Sequence, residues 1–250
     1  MRCRVTLLSL LLAGGAAHAW PQTPTPTDTT TRRLRVDATA LRPGQWVYAM
    51  TVQREGTTVP VGSRTVSVAE VSHAGTASWL LIEQRTGEAT AADSLTVARA
   101  DLRPLHWAST IGRARLVLDV SGDSASGVAT APTGRRSIAT TIPPGTLINQ
   151  AMLETLLRLL PLAPAWQDST VSLLLTVGSG VTIPTYLTVT GEASVSVPAG
   201  TFDCWVVVAN AESVRATYWV TKKDPMVVQS TQPAGAGGAQ LMSVLTRRSP

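Results

Sequence analysis

Short runs of alternating apolar and polar residues recur along most of this chain, and they constrain it to a mainly β fold. In one such run Trp46, Tyr48, Met50 and Val52 occupy every second position. Successive side chains of a strand point to opposite faces, so a period of two is typical of strands with one buried face. Similar runs occur later at Val66-Val68, Leu95-Val97, Leu116-Leu118-Val120, Val171-Leu173-Leu175-Val177, Leu187-Val189 and Val195-Val197.

Turn signals lie between these runs. They stand at Arg54-Glu55-Gly56, His73-Ala74-Gly75, Ser121-Gly122-Asp123, Thr133-Gly134, Gly178-Ser179-Gly180 and Pro233 to Gly238. Many strands at short spacing favour an antiparallel arrangement that closes on itself or packs as a sandwich. We therefore predict a strongly curved antiparallel sheet, an incomplete barrel or cup, over residues 44–250 as a single domain.

One segment, residues 146–160, breaks the alternation and predicts a single amphipathic helix. Its polar residues Gln150, Glu154 and Arg158 lie four apart and form one stripe on a helix. Glu154 and Arg158 are spaced for an ion pair along the helix surface. We expect Thr146 to cap the helix and Pro161 to stop it.

The rest of the helix surface is apolar and includes Met152 and Leu156. So wide an apolar surface must be covered on most sides, and we expect the concave face of the sheet to cover it. The alternative is a helix lying in a membrane interface. Such helices usually carry several Lys and Arg along the polar face, whereas this one has only Arg158 beside Glu154.

The N-terminus has the three parts of a secretory signal. Met1-Arg2-Cys3-Arg4 is positively charged, an apolar stretch follows, and Ala17-His18-Ala19 fits a cleavage site. We predict a signal peptide at residues 1–19, export across the inner membrane, and a periplasmic or extracellular protein that starts at Trp20. The apolar stretch is too short to span a bilayer, and no later segment predicts a membrane anchor. Pro- and Thr-rich residues 20–43 are expected to form a disordered leader.

Few reactive groups would remain after cleavage. Cys204 would be the only cysteine, which excludes an internal disulfide, and His73 and His106 would be the only histidines. Their spacing fits no common metal site, so we expect no metal, no cofactor and no catalytic residue. No Gly-x-Ser-x-Gly nucleophile motif occurs, although a cleft that grouped His106 with Asp101 and a nucleophile would favour a hydrolase. Basic runs are never longer than two residues, which argues against nucleic acid as a partner.

Tryptophan use is unusual, with seven Trp against one Phe and three Tyr. Trp joins a large apolar body to one hydrogen-bond donor and suits the wall of a cavity as well as a core. One interpretation is that the tryptophans fill the core of a wide sheet. The other is that some of them line a pocket for an apolar ligand together with helix residues. The candidate lining is Trp46, Trp79, Trp107, Met152, Leu156, Trp205 and Trp219.

A family resemblance lies in the last third of the chain. The run from Val197 through Pro198-Ala199-Gly200-Thr201-Phe202-Asp203 to Val207, followed by the run from Tyr218-Trp219-Val220 to Gln229, resembles the exported bacterial family DUF3108, a domain of unknown function. Asp93 to Leu105 and Leu156 to Leu162 also match elements of that family. The resemblance implies a fold and a compartment but no reaction. The arrangement is also similar to periplasmic lipoprotein-carrier folds, in which an incomplete barrel wraps around a helix.

The sequence thus predicts a noncatalytic exported envelope protein that binds a lipid or other apolar ligand between helix and sheet. The alternative is a structural protein, or one that binds other envelope proteins, with a packed core. An unrecognised hydrolase is the third hypothesis.

Overall fold

The computed structural model describes residues 34–87, 90–176, 179–212, 214–235 and 238–249. The predicted signal peptide and leader residues 20–33 lie outside these ranges. The described chain forms one sheet of 14 antiparallel strands and one α-helix, α1 (Gln150–Leu157). The strands are β1 (Gly44–Arg54), β2 (Thr57–His73), β3 (Thr76–Gly87), β4 (Ala91–Ala98), β5 (Pro104–Ile111), β6 (Ala114–Ser121), β7 (Ser124–Ala131), β8 (Gly134–Thr141), β9 (Gln167–Thr176), β10 (Ser179–Val197), β11 (Gly200–Ala211), β12 (Val214–Thr221), β13 (Val227–Pro233) and β14 (Gln240–Ser249).

The sheet consists of two series of hairpins, β1 to β8 and β9 to β14, which are joined where the first strand β1 pairs with the last strand β14. Its order is β8-β7-β6-β5-β4-β3-β2-β1-β14-β13-β12-β11-β10-β9. Among the described residues no ladder joins the outermost strands β8 and β9, so the barrel is incomplete. The sheet nevertheless curves far enough to bring its two sides into contact. The Thr140 hydroxyl of the end strand β8 donates to the Gly180 carbonyl of β10, which is next to the other end strand, at 2.8 Å. The predicted curved antiparallel sheet with one helix is confirmed.

A short segment before α1 covers part of the outer edge of β9. The Leu147 amide donates to the Val171 carbonyl, and the Leu173 amide donates to the Leu147 carbonyl, each at 2.8 Å. The Thr170 hydroxyl donates to the Gly145 carbonyl at the same distance. These bonds satisfy edge groups of β9 that would otherwise be open to another strand.

The helix is shorter than predicted and begins at a different cap. The Asn149 side chain accepts from the Met152 amide at 2.9 Å, whereas the Thr146 hydroxyl donates to the Pro143 carbonyl. The prediction that Thr146 caps the helix is therefore wrong. Leu147 pairs with β9 in an extended conformation, so the helix cannot begin before that residue. It ends at Leu157, four residues ahead of Pro161.

Replacing Asn149 by Ala is expected to lower the free energy of unfolding by about 1 kcal/mol, since a side-chain cap satisfies an open amide of the first turn. Asn149→Asp retains the acceptor and serves as the matched control. Urea denaturation followed by Trp fluorescence measures both. Equal losses in the two variants would contradict the role of Asn149 as the cap.

Ordered packing starts earlier than the composition predicted. Leu34 and Leu41 are buried in the core, and a short 3₁₀ helix at Ala38–Ala40 is capped by the Asp37 side chain. Residues 34–43 are therefore packed against the domain and do not belong to a disordered leader. The physical reason is that Leu34, Val36 and Leu41 supply apolar side chains that the core can bury.

Candidate functional site

Five polar side chains form a closed circuit between α1 and the sheet, which we call the polar ring. It comprises Arg64 of β2, Glu83 and Arg85 of β3, and Gln150 and Glu154 of α1. The Arg64 Nη2 donates to Glu154, and Gln150 Nε2 donates to Glu154 Oε1 at 3.0 Å. Arg85 Nη2 lies 3.3 Å from Gln150 Oε1 and 2.5 Å from Glu83 Oε1. Arg64 Nε lies 3.4 Å from Glu83 Oε1 and completes the circuit.

The ring buries charge that water would otherwise solvate. Arg64 is only 1% exposed, and Glu83 and Glu154 are each 3% exposed. Burial favours neutral forms, but the carboxylates of Glu154 and Glu83 raise the pKa of Arg64 overall. Burial likewise opposes the charge of Glu83, yet Arg64 and Arg85 hold its pKa below the ordinary value. The ring joins two arginines to two glutamates, so its formal charges sum to zero.

The predicted ion pair between Glu154 and Arg158 is wrong. Glu154 points inward to Arg64, and the Arg158 guanidinium lies 3.8 Å from the centre of the Trp46 ring. The helix stripe is polar because it faces a buried arginine and not because it faces water. A signal was present in the sequence, since Arg64 continues the inward register of Val66 and Val68.

Aromatic rings lie against the guanidinium groups of Arg64 and Arg158. The Arg64 guanidinium is 4.9 Å from the centre of the Tyr48 ring, and the Tyr48 hydroxyl donates to the Val227 carbonyl at 3.0 Å. Burial raises the pKa of Tyr48 far above its ordinary value, so its proton stays in place. Cation–π contacts of this kind stabilise a desolvated guanidinium. The arrangement ties α1 to β1 and β2.

The structure places the seven predicted lining residues in or against the hydrophobic core. Trp46, Trp79, Met152 and Leu156 are buried, and Trp107, Trp205 and Trp219 are partly buried. Trp107 Nε1 donates to Asp93 at 3.1 Å. Trp219 lies between the buried residues Tyr218 and Val220, so alternation places it on the outer face of β12. Their role as the lining of a ligand cavity stays a prediction.

A small depression beside α1 brings two of those residues together. Met152 and Leu156 line it with Leu34, Val36 and Leu102, and its volume is ≈ 30 Å³. Ligand pockets usually measure about 300–1,000 Å³, so this depression has room for little more than a water molecule. A second depression, lined by Trp46, Tyr48 and Arg158 among others, has a still smaller volume.

The histidines form a surface pair with an aspartate. The His106 Nδ1 lies 2.7 Å from Asp119 Oδ1, and the His73 and His106 rings stack with centres 6.1 Å apart. Asp101 accepts instead from the Arg103 amide at 3.1 Å. The carboxylate that the structure places against His106 is therefore that of Asp119. In the described part of the chain, no three His, Cys, Asp or Glu side chains are arranged to hold a metal ion.

Cys204 is a buried residue of β11. Burial and the neighbouring Asp203 carboxylate raise the pKa of its thiol from 9.0 to about 11. Nucleophilic chemistry of cysteine requires the thiolate, so these surroundings keep the thiol unreactive near neutral pH.

We expect Cys204 to resist 5,5′-dithiobis(2-nitrobenzoate) at pH 8 in the folded protein and to react on unfolding in urea. Between about pH 9 and pH 11 the unfolded thiol ionises while the folded thiol does not. The free energy of unfolding should therefore fall as the pH rises through this window. Cys204→Ala assigns the signal. Rapid reaction of the native protein that disappears in this variant would contradict the prediction.

None of the helices in the described ranges combines the length and apolarity that crossing a bilayer requires.

Comparison with known proteins identifies a family and a fold likeness. The family model for proteins of unknown function (DUF3108) matches residues 47–242. A β-barrel-like protein of the DUF1849 family from Brucella abortus is similar with a TM-score of 0.47 and 11% identity, over 87% of this chain and 98% of that one. A Bacteroides fragilis protein described as exported, with a YmcC-like fold, gives 0.31 and 12% over 83% and 95%. A Parabacteroides distasonis protein described as a lipoprotein gives 0.30 and 9% over 84% and 96%.

A search of the curated proteins finds no match. None of these comparisons points to a reaction. The family match spans most of the chain and includes the strands β11 to β13, on which the sequence resemblance mainly rested. The predicted resemblance is confirmed, and the chain belongs to the DUF3108 family of proteins of unknown function.

Proposed function

We propose that this protein is a noncatalytic, exported envelope protein that acts through its outer surface and uses its interior as a packed core. One observation carries the proposal. Buried apolar residues of α1 and of the strands belong to one core cluster, and the depression beside Met152 and Leu156 has a volume of only ≈ 30 Å³. A lipid chain needs roughly ten times that space. Support for export comes from the sequence pattern at residues 1–19.

The ionisable groups with strongly shifted pKa values support a structural role. Among the described residues, Arg64 belongs to the polar ring and Tyr48 and Tyr218 lie beside it on β1 and β12, while Arg158 and Cys204 are the other two such groups. Catalytic groups are usually found in an open cleft where a substrate can reach them. Here Arg64 of the sheet and Glu154 of the helix form a buried ion pair that holds the helix against the sheet.

The test is to isolate the protein from its native envelope and extract it with organic solvent. Mass spectrometry should detect no lipid in stoichiometric amount, and the native protein should not enhance the fluorescence of an apolar dye such as N-phenyl-1-naphthylamine. One lipid per protein molecule would overturn the packed-core proposal.

A second candidate keeps the original hypothesis of an apolar ligand between helix and sheet. It is favoured by the apolar character of the depression around Met152 and Leu156, which is bordered by Leu34 and Val36 of the N-terminal segment. A ligand could enter only if that segment moved aside. Leu156→Trp would fill the depression and abolish dye binding if this candidate holds. Leu159→Trp, on a partly exposed position beyond the helix, is the control.

A further inference from the structure

One end of the sheet collects the hairpin connections, and we call it the hairpin rim. Neighbouring strands run in opposite directions, so the connections β1–β2, β3–β4, β5–β6, β7–β8, β9–β10, β11–β12 and β13–β14 all lie at the same end. The segments that flank α1 connect β8 to β9 at the opposite end of the sheet. Residues 34–43 lead into β1 at that same end. The hairpin rim and the segments that flank α1 therefore lie at opposite ends of the sheet.

Exposed arginines are concentrated at the rim of strands β5 to β8. Arg113, Arg115, Arg135 and Arg136 are all exposed, and none forms an ion pair with another described residue. Arg115 and Arg135 both pair with Thr130 of β7, so they lie on one face, two strands apart. Strand spacing places their backbones about 10 Å from each other. Like charges this close favour an anionic partner.

The acidic residues of the same four strands lie away from the rim. Asp119 stands toward the far end of β6, and Asp123 is in the β6–β7 turn at the opposite end. The charge of this part of the sheet is therefore segregated along the strands, positive at the rim and negative at the other end. Such segregation orients a protein toward an anionic surface.

Exposed apolar side chains are found at the same rim. The large apolar residues that stand out in solvent within the described chain are Val59, Ile111 and Val181, which are 47%, 52% and 46% exposed. Each lies within a few residues of a rim connection, and Ile111 ends β5 two residues before Arg113. Basic groups beside exposed aliphatic groups are typical of surfaces that bind the headgroup region of a bilayer.

We propose that the part of the hairpin rim formed by β5 to β8 docks on an anionic phospholipid surface. The guanidinium groups of Arg113, Arg115 and Arg135 bind lipid phosphates, and Ile111 at the tip of the β5–β6 hairpin enters the interface. Guanidinium pairs with phosphate through two parallel hydrogen bonds, which suits this site. Nucleic acid is the less suitable polyanion, because the large exposed apolar side chains at the rim are aliphatic and offer no ring for base stacking. This inference names the partner of the outer surface and rests on the proposed function.

The experiment is co-sedimentation of the protein, expressed with its own N-terminus, with vesicles of phosphatidylglycerol and phosphatidylcholine. The triple variant Arg113→Gln, Arg115→Gln, Arg135→Gln removes rim charge. The matched control Arg35→Gln, Lys223→Gln, Arg247→Gln removes the same charge at the opposite end, also from exposed positions. Each arginine near an anionic surface is worth about a fivefold change in affinity. We expect the rim variant to bind at least about tenfold more weakly and the control to change less than about twofold.

Further measurements sharpen the test. Binding should weaken as salt rises, because surface charge is screened over about 10 Å at 0.1 M. Ile111→Ser should lower the affinity severalfold with the charge unchanged. Equal losses in the two triple variants, equal binding to pure phosphatidylcholine, or tighter binding to a DNA oligonucleotide than to vesicles would each overturn the rim proposal. Vesicle lipid uptake that Leu156→Trp blocks, and that the rim variant leaves intact, would instead overturn the packed-core function.

Discussion

Replacing Arg64 by Met should lower the free energy of unfolding by about 3–5 kcal/mol, the largest single effect we expect in this protein. Arg64 contacts both Glu83 and Glu154. Without it, Glu154 is left as a buried carboxylate with only the Gln150 amide beside it. A buried charge without its partner costs far more than the pair contributes. Urea denaturation followed by Trp fluorescence gives the change.

The double variant Arg64→Met, Glu154→Leu is the critical control. It removes one positive and one negative charge, so the formal charges of the remaining partners Glu83 and Arg85 still sum to zero. Replacing a buried pair by apolar groups is often close to neutral, and we expect the double variant to be more stable than Arg64→Met alone. If the two substitutions simply add, the coupling inferred from the polar ring is wrong.

The pH dependence of stability has a definite sign at Glu83. Its pKa in the folded protein lies below the ordinary value because of Arg64 and Arg85, although burial acts in the opposite direction. Its contribution is therefore fully present above the pKa of the unfolded chain and is lost as the pH falls through the lower folded value. In Arg64→Met that acid-side loss should begin at a higher pH. An unchanged acid midpoint in that variant would argue against the contact.

Replacing Leu157 by Ala should lower the free energy of unfolding by about 2–5 kcal/mol. Leu157 is 0% exposed and is part of the core cluster that α1 shares with the sheet. The truncation removes apolar contacts and leaves a cavity that a close-packed interior fills only in part. Leu159→Ala, at a partly exposed position just beyond the helix, makes the same chemical change and should cost much less.

The same variant distinguishes a packed core from a helix that acts as a lid. If α1 is part of one cooperative unit, Leu157→Ala lowers the denaturation midpoint and leaves a single transition whose dependence on urea is unchanged. If α1 is released while the sheet stays folded, hydrogen exchange would show opening confined to residues around 150–157. That second outcome would favour the apolar-ligand candidate.

Local pattern was sufficient for much of the architecture. Alternation of apolar residues places strands wherever one face is buried, as at Trp46 to Val52 in β1 and Leu116 to Val120 in β6. The turn signals at Arg54-Glu55-Gly56 and His73-Ala74-Gly75 also follow from residue types whose preferences are local, and they fall between β1, β2 and β3. The helix was found because its period differs from that of its surroundings. Its start was misplaced because Leu147 is held in a β-bridge by a strand that comes later in the chain.

The polar ring could not be predicted, since its members meet only in the folded chain. Arg64 and Glu154 are 90 residues apart in sequence. A helix stripe with Gln150, Glu154 and Arg158 is normally read as solvated, and only the arrival of Arg64 from β2 makes it an inward-facing surface. The same limit applies to the candidate cavity. Composition shows that the tryptophans are numerous but not how much space remains between them.

The sequence by itself determined that this chain is a mainly β member of the DUF3108 family with a single helix, because strand period, turn residues and family motifs are all local properties. The tertiary structure alone decided that β1 joins β14, that β8 and β9 remain as edges, and that a charged ring fastens the helix to the sheet. It also brought the arginines of two hairpins together at one rim. Each of these depends on strand order and register, which bring together residues far apart in the chain.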